Sequence, residues 1–291
     1  MNTSGQINRQ AFADRLRGYR KHPFSAFLFL LVIFSALVTF AALLFLIGHI
    51  LVMGIPHLTP SLFAWTHTSA NLSMTHALVN TVIMVALALL ISGPLGISSA
   101  IYLNEYAKRG SRLMSAVRMT AETLSGIPSI VYGLFGLLFF VTALGWGFSM
   151  LAGAFTLSIM VLPLIMRTTE EALKAVPDSY REGSFALGAG KLRTIFKIVL
   201  GSAVPGILAG IILATGRIVG ETAALIYTAG TVAQLPDGVL SSGRTLAIHM
   251  WVLASEGLFT DQAYATAVVL LVIVVAINAL SGLVAKKLKK G

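Results

Sequence analysis

The chain has 291 residues, of which 56% are apolar and only 11% charged, with a mean hydropathy of +0.86. Soluble domains carry about 25% charged residues, so the composition is that of a polytopic membrane protein. The net charge of +10 and the absence of cysteine raise a nucleic-acid reading and exclude disulfides and Cys-ligated metal sites. The position of the charges argues against nucleic acid, as shown below.

Residues 1–23 are polar and basic, with Arg9, Arg15, Arg17, Arg20 and Lys21. Phe12, Leu16 and Tyr19 share one helical face, which fits either a short interfacial helix or a plain basic arm. Phe24 to Ile47 carries no charge. It is too long for the apolar core of a signal peptide and reads as a membrane helix. Five further apolar spans read as 77–102, 123–143, 150–170, 203–228 and 263–285. Pro128 and Pro163 fall in the third and fourth, where proline is tolerated and often kinks the helix. The fold class expected is all-α, a six-helix membrane bundle. No internal or inverted repeat of broken helices is visible.

The basic residues orient it. Nineteen of the 21 Lys and Arg lie before span one, after spans two and four, or at the C-terminal end; loops 54–75 and 144–149 have none. The exceptions are Arg244, in loop 229–262, and Arg217, inside span five. By the positive-inside rule both termini are expected in the cytoplasm, and the charge serves topology and anionic lipid rather than nucleic acid.

The stretch Val176–Leu200 is too polar to span and too patterned for a slack loop. Ser179 and Glu182 have capping-box spacing. Gly188 and Gly190 then interrupt the helix, and Leu192, Ile195, Phe196 and Val199 form the apolar stripe of a second short helix. Gly190-Lys191 imitates the end of a phosphate-binding loop. However, Phe185 and Leu192 occupy positions that need Gly and Ser or Thr, so ATP chemistry is expected on another chain.

In span five, Arg217 and Glu221 stand i, i+4 and are expected on one helical face. A charge at a helix centre costs about 2.5–3.5 kcal/mol on insertion scales. Either a structural ion pair or a polar gate accounts for them. A guanidinium fork suits a passing oxyanion, and a carboxylate one turn away would limit how tightly it is held. Ser125, Ser129 and Tyr132 flank Pro128, where they serve either packing or an anion. Arg118 and Glu122, and separately Arg167, read as solvated charges. Thr245–Ala254 reads as a short re-entrant or interfacial helix with Trp251 at headgroup depth. The histidine spacings suggest no metal site, and no nucleophile–base cluster supports an enzyme.

The polar stretch resembles the loop signature of permease subunits of ATP-binding-cassette (ABC) importers. Glu182-Gly183-Ser184 is followed by three residues, Gly188, nine residues and Ile198-Val199-Leu200, with the family's spacing. Gly183-Ser184 replace the usual alanine pair, and Gly201 the usual proline. Four segments narrow the likeness to phosphate-importer permeases of the PstA type: IYLNEYAKRG (101–110), SGIPSIVYGLFGL (125–137), LPLIMRTTEEALKAVPDSYREGSFALGAGK (162–191) and GRIVGETAALIYTAG (216–230).

The resemblance implies a type I importer fold and a PstC-type second permease as partner. It also implies two PstB-type ATPase subunits and a PstS-type extracytoplasmic phosphate-binding protein. No cofactor is expected on this chain; ATP and Mg would be used by the ATPase. It divides the chain into a cytoplasmic arm (1–23), a first transmembrane helix (24–53), an outer loop (54–75), the importer transmembrane domain (76–285, with its coupling loop at 176–200) and a basic tail (286–291). Glu182, Gly183, Ser184, Ala186, Leu187, Gly188 and Ala189 are the expected ATPase contacts. Arg217, Glu221, Thr222, Ser125 and Ser129 are the expected path or gate residues. Molybdate or sulfate remains open as the substrate, and a secondary transporter or channel, or a scaffold or signalling subunit, as the class.

Overall fold

The structure, a computed structural model, describes residues 23–288 other than Arg109. The basic arm, with its Phe12, Leu16 and Tyr19 face, and the end of the basic tail lie outside the described residues. Two compact units are distinguished, residues 1–52 and residues 53–291. The described part of the first is helix α1 (Pro23–Gly54). Its composition explains it: a charge-free run with no helix breaker before Gly48 has nowhere to satisfy its backbone except in its own helix.

In the second unit the described residues contain no strand. Short 3-10 turns at Ile55–His57 and Pro60–Phe63 lead to α2 (Thr75–Ile101), which widens into a π-helical turn at Tyr102–Tyr106. Helices α3 (Arg112–Ser125) and α4 (Ser129–Gly136) follow, the latter extended by π-helical turns over Leu137–Ala143. Then come α5 (Met150–Lys174) and α6 (Asp178–Ala186). Helix α7 (Leu200–Val219) is entered through Lys191–Val199. The chain ends with α8 (Ala223–Ile226), α9 (Leu246–Glu256) and α10 (Thr260–Leu288). Among the described residues five helices are long and apolar enough to cross a membrane, or six if the bent pair α3–α4 counts as one.

Helix α5 is the centre of the core. Two-thirds of its apolar window is buried, more than in any other span. Small residues let its neighbours close on it. A Cβ on Gly96 of α2 would come 2.8 Å from Ile165, one on Gly206 of α7 2.6 Å from Ala172, and one on Gly210 2.1 Å from Thr168. Ser158 of α5 donates across to the Ala88 carbonyl of α2 (3.0 Å). Close backbone approach of this kind is how helices associate where lipid removes the hydrophobic drive between them. Ala88, Ala154, Leu157, Val161 and Ile165 fill the middle layer. Leu103, Met114, Leu173, Val176 and Val199 fill a second layer under α6.

Three expectations need correction. Span three is not a kinked helix over 123–143. Its two halves meet at 101°, because Pro128 ends one helix and starts the next. Here Pro128 holds an extended backbone (ψ 142°), and the residue before a proline is driven out of the helical region. Span five does not reach 228; α7 ends at Val219 with Gly220 as its cap. Ser179 does not cap α6. The helix begins at Asp178 behind Pro177, and no side chain caps it; proline's fixed φ supplies the start instead.

Candidate functional site

The polar stretch folds into a two-limbed knob. Limb one is α6, which has no buried residue. Leu187, at its tip, is 90% exposed. Gly188 turns the chain with φ +79°, a conformation that costs a side-chain-bearing residue about 1–2 kcal/mol. Limb two is not a separate short helix. It starts at Lys191 and runs as one 29-residue helix to Val219, about 40 Å at 1.5 Å per residue. Of the four stripe residues, Ile195 and Val199 are buried, whereas Leu192 and Phe196 stay exposed. The Ser184 and Thr194 hydroxyls bond across the two limbs (2.8 Å). Glu182, Gly183, Ala186, Leu187 and Gly188 are exposed on the knob, with Ser184 and Ala189 half-buried. The knob thus presents an exposed apolar tip on a braced turn.

Behind the knob lies a charged joint that sequence reasoning passed over. Arg181 donates to four acceptors: Val176 O (2.9 Å), Leu173 O (3.1 Å), Asp178 Oδ1 (3.1 Å) and Glu105 Oε1 (2.9 Å). The first two carbonyls lie at the end of α5, where helical partners run out. Glu105 sits in the π-helical turn that ends α2. Lys191, on limb two, stands 4.5 Å over the ring of Tyr106 in the same turn. Alongside, Glu170 is buried and binds both Arg118 of α3 and Lys174 (2.7 Å). Arg118 thus pairs across to α5, not with Glu122 as a solvated couple. Arg167 pairs with Glu171 (3.2 Å) in the open. A cleft of about 610 Å3 opens beside the joint, lined in part by Glu105, Met114, Arg118, Lys174 and Arg181. The signal available in sequence was that Glu105 and Glu170 are acids at the ends of charge-poor spans.

The expected path residues are brought near one another, but not as expected. Arg217 is exposed and lies in the last turn of α7, where the helix dipole favours a cation by about 0.3–1 kcal/mol. Glu221 lies beyond the helix end. It is not on Arg217's face and makes no ion pair with it. Its Oε1 instead accepts from the Ala224 amide (3.1 Å), capping α8 next to Thr222. The i, i+4 reading failed because Gly220 ends the helix between the two residues.

The segment 220–230 is gripped by glycines. A Cβ on Gly133 would come 2.9 Å from Ala224 Cα, and one on Gly136 2.3 Å from Thr156 Oγ1 and 2.6 Å from Thr228. Tyr132 donates across the α3–α4 break to the Leu124 carbonyl (2.7 Å), and Arg217 is near enough to act on its hydroxyl electrostatically. Ser129 starts α4, half-buried, and Ser125 is exposed and bonds back to Ala121 O (2.9 Å).

At the other end of the bundle, the short helix expected over 245–254 is α9, and one of its faces is packed into the bundle. Leu246, Ala247, Ile248, His249 and Leu253 are buried, while Trp251 is exposed. Asn80 donates to Gln234 O and Arg244 O, and Thr81 accepts from the Leu246 amide. Arg244 reaches His67 Nε2 (3.3 Å), whose Nδ1 meets Ser73 O (2.9 Å). Burial pushes the Arg244 guanidinium below its ordinary range, and burial beside Arg244 and His67 lowers His249 to about 3.

Residues 92–290 match the family described as binding-protein-dependent transport system inner membrane component. The chain belongs to that family: it is a multi-pass membrane permease of the ABC importer class, not an enzyme. Such permeases work with an ATPase and a substrate-binding protein.

Among curated relatives, the probable ABC transporter permease protein YqgI of Bacillus subtilis is 35% identical over 76% of this chain and 80% of its own. Phosphate transport system permease protein PstA 2 of Mycobacterium bovis is 42% identical over 58% of this chain. The PstA homolog of Mycoplasma pneumoniae is 39% identical over 60%. The match spans 55% of the M. bovis relative and 28% of the M. pneumoniae one.

Among solved structures, a bacterial alginate ABC transporter, in complex with an alginate-bound periplasmic protein, aligns over 94% of this chain and 98% of its own, at 16% identity and TM-score 0.67. The MetNI methionine transporter aligns over 74% and 94%, at 19% identity and TM-score 0.56. At such identities the likeness is one of fold.

Proposed function

We propose that this permease serves a phosphate importer and forms half of its translocation path. The observation that carries this is the identity of about two residues in five to relatives named as phosphate permeases, alongside the PstA-like wording of its own segment 216–230. The chemistry agrees. Arg217 presents a guanidinium fork, the best donor set for an oxyanion. Among the described residues it has no carboxylate within 4 Å.

In this reading both termini are cytoplasmic, and so is the knob. A PstC-type permease completes the path, two PstB-type ATPases bind and hydrolyse ATP with Mg, and a PstS-type protein delivers phosphate from outside. Residues Glu182–Ala189 dock on the ATPase. Arg217, with Thr222, Ser125 and Ser129, lines the path. Glu221 acts on the path by capping α8 rather than by neutralising Arg217.

The test is uptake of labelled inorganic phosphate at low concentration by cells lacking this chain, complemented with the native chain or with Arg217→Ala. Native complementation and a transport-dead but correctly inserted variant are expected. Competition by molybdate or sulfate equal to that by unlabelled phosphate would overturn the substrate. Normal uptake with Arg217→Ala would overturn the role of the arginine.

A further inference from the structure

From the joint behind the knob we infer that Arg181 and Glu105 are positioning residues for energy coupling. They clamp the knob to the end of α2, so that a push on the knob moves α2 and α5 as well as α7. This rests on reading the knob as the segment that receives the ATPase.

Limb two needs no clamp to reach the membrane, since it continues directly into α7. Limb one does. It buries no residue of its own and is tied to limb two only at its far side, by the Ser184–Thr194 hydroxyl bond; without a tie to the membrane helices behind it, it would yield under load instead of passing it on. Arg181 removes that slack. Its side chain is 16% exposed and that of Glu105 9%. Charged side chains so removed from water are held by geometry and by bonds of the charge-assisted class. One guanidinium end, Nη2, joins Glu105 to the Leu173 carbonyl, and the other, Nη1, joins Asp178 to the Val176 carbonyl. The knob, the end of α5 and the end of α2 thus meet on one planar group.

The receiving turn, Tyr102–Tyr106, is π-helical, a geometry frequent at functional sites in helices. It is held from both limbs, by Arg181 on Glu105 and by Lys191 over Tyr106. The second contact lies at exposed residues, so the clamp proper is the first.

A helix cap for α5 would also employ Arg181, through Leu173 O and Val176 O, but would not need Glu105. The experiment separates the two. The assembled importer, with its ATPase and binding protein, is reconstituted in liposomes, and ATP hydrolysed per labelled inorganic phosphate imported is measured for native, Glu105→Gln and Arg181→Met. We expect ATPase to co-purify in all three. The ratio should rise about fivefold or more in each variant, the low end of couplings between linked sites.

An unchanged ratio in Glu105→Gln, with only a lowered melting temperature in Arg181→Met, would leave a cap and overturn the clamp. If the native importer moves no phosphate, the substrate reading fails but the clamp is still tested. The chain has no cysteine, so spin labels at Tyr102→Cys and Ala189→Cys report the knob-to-α2 distance in the full complex. A single narrow distance that changes with ATP in native protein, and a broad one insensitive to ATP in Glu105→Gln, supports the clamp. Equal distributions refute it.

Discussion

Glu170 gives the sharpest energetic prediction. Its side chain is 8% exposed, whereas its partners Arg118 and Lys174 are 39% and 53% exposed. The three residues should therefore respond unequally. Glu170→Gln strands two cations that already reach water, so the loss should be that of a screened surface pair, about 1 kcal/mol or less. Arg118→Met removes the tie from α3 to α5, but Lys174 still answers the carboxylate from one turn away; about 1–2 kcal/mol is expected, near the loss of one bond to a charged group. Removing both cations leaves a buried carboxylate alone. Such orphaned charges cost about 3–5 kcal/mol, more than the single losses together. Adding Glu170→Gln to that double variant should then recover most of the loss.

The assay is thermal unfolding of the purified protein in detergent, followed by loss of monodispersity. About 2–4 °C of melting temperature is expected per kcal/mol, so the double variant should fall by about 6–20 °C. If it melts no lower than Arg118→Met alone, or if Glu170→Gln fails to rescue it, the buried-anion argument is wrong.

Three other outcomes follow from the same geometry. Gly136→Ala puts a methyl against two β-branched threonines, Thr156 and Thr228, whose hydroxyls are bonded to the Ala152 and Ala224 carbonyls; about 1–3 kcal/mol of overpacking is expected, read as lower yield and melting temperature, whereas Gly93→Ala, with nothing within 4 Å, should be silent. Gly188→Val should cost about 1–2 kcal/mol and lower ATPase co-purification, with Gly188→Asn milder because asparagine tolerates a left-handed backbone. His249 is held neutral far below its ordinary value of 6.5, so the unfolded chain takes up the proton first. The stability gained from burying the neutral ring is whole above pH 6.5 and is lost as pH falls toward about 3, at no more than about 1.4 kcal/mol per pH unit. His249→Phe should flatten that slope in acid-melting curves, and an unchanged slope would assign it to another group.

Some of this was legible from local pattern. Charge-free runs have one backbone solution in lipid, so the existence of the spans needed no tertiary knowledge. The knob showed itself because its polarity interrupts that pattern and its glycines mark the bend at Gly188. The failures are as local. Ser179 had the right spacing for a cap but lost to Pro177, two positions earlier. Arg217 and Glu221 had the right spacing for one face, but Gly220 ended the helix between them. In each case a residue beside the motif decided the backbone.

What the sequence alone determined is therefore the class: membrane helices, their rough bounds, and a polar knob with the importer signature. Tertiary structure decided which charges meet. Glu105 and Arg181 are 76 residues apart, and Arg118 and Glu170 are 52 apart; no helical period links them. Their pairing exists because the fold brings the ends of α2 and α5 together with the middle of α3 beneath the knob. Small residues on α2 and α7 let those helices close on α5. Period and hydropathy describe one helix at a time. A charge buried between three helices is a property of how those helices are stacked.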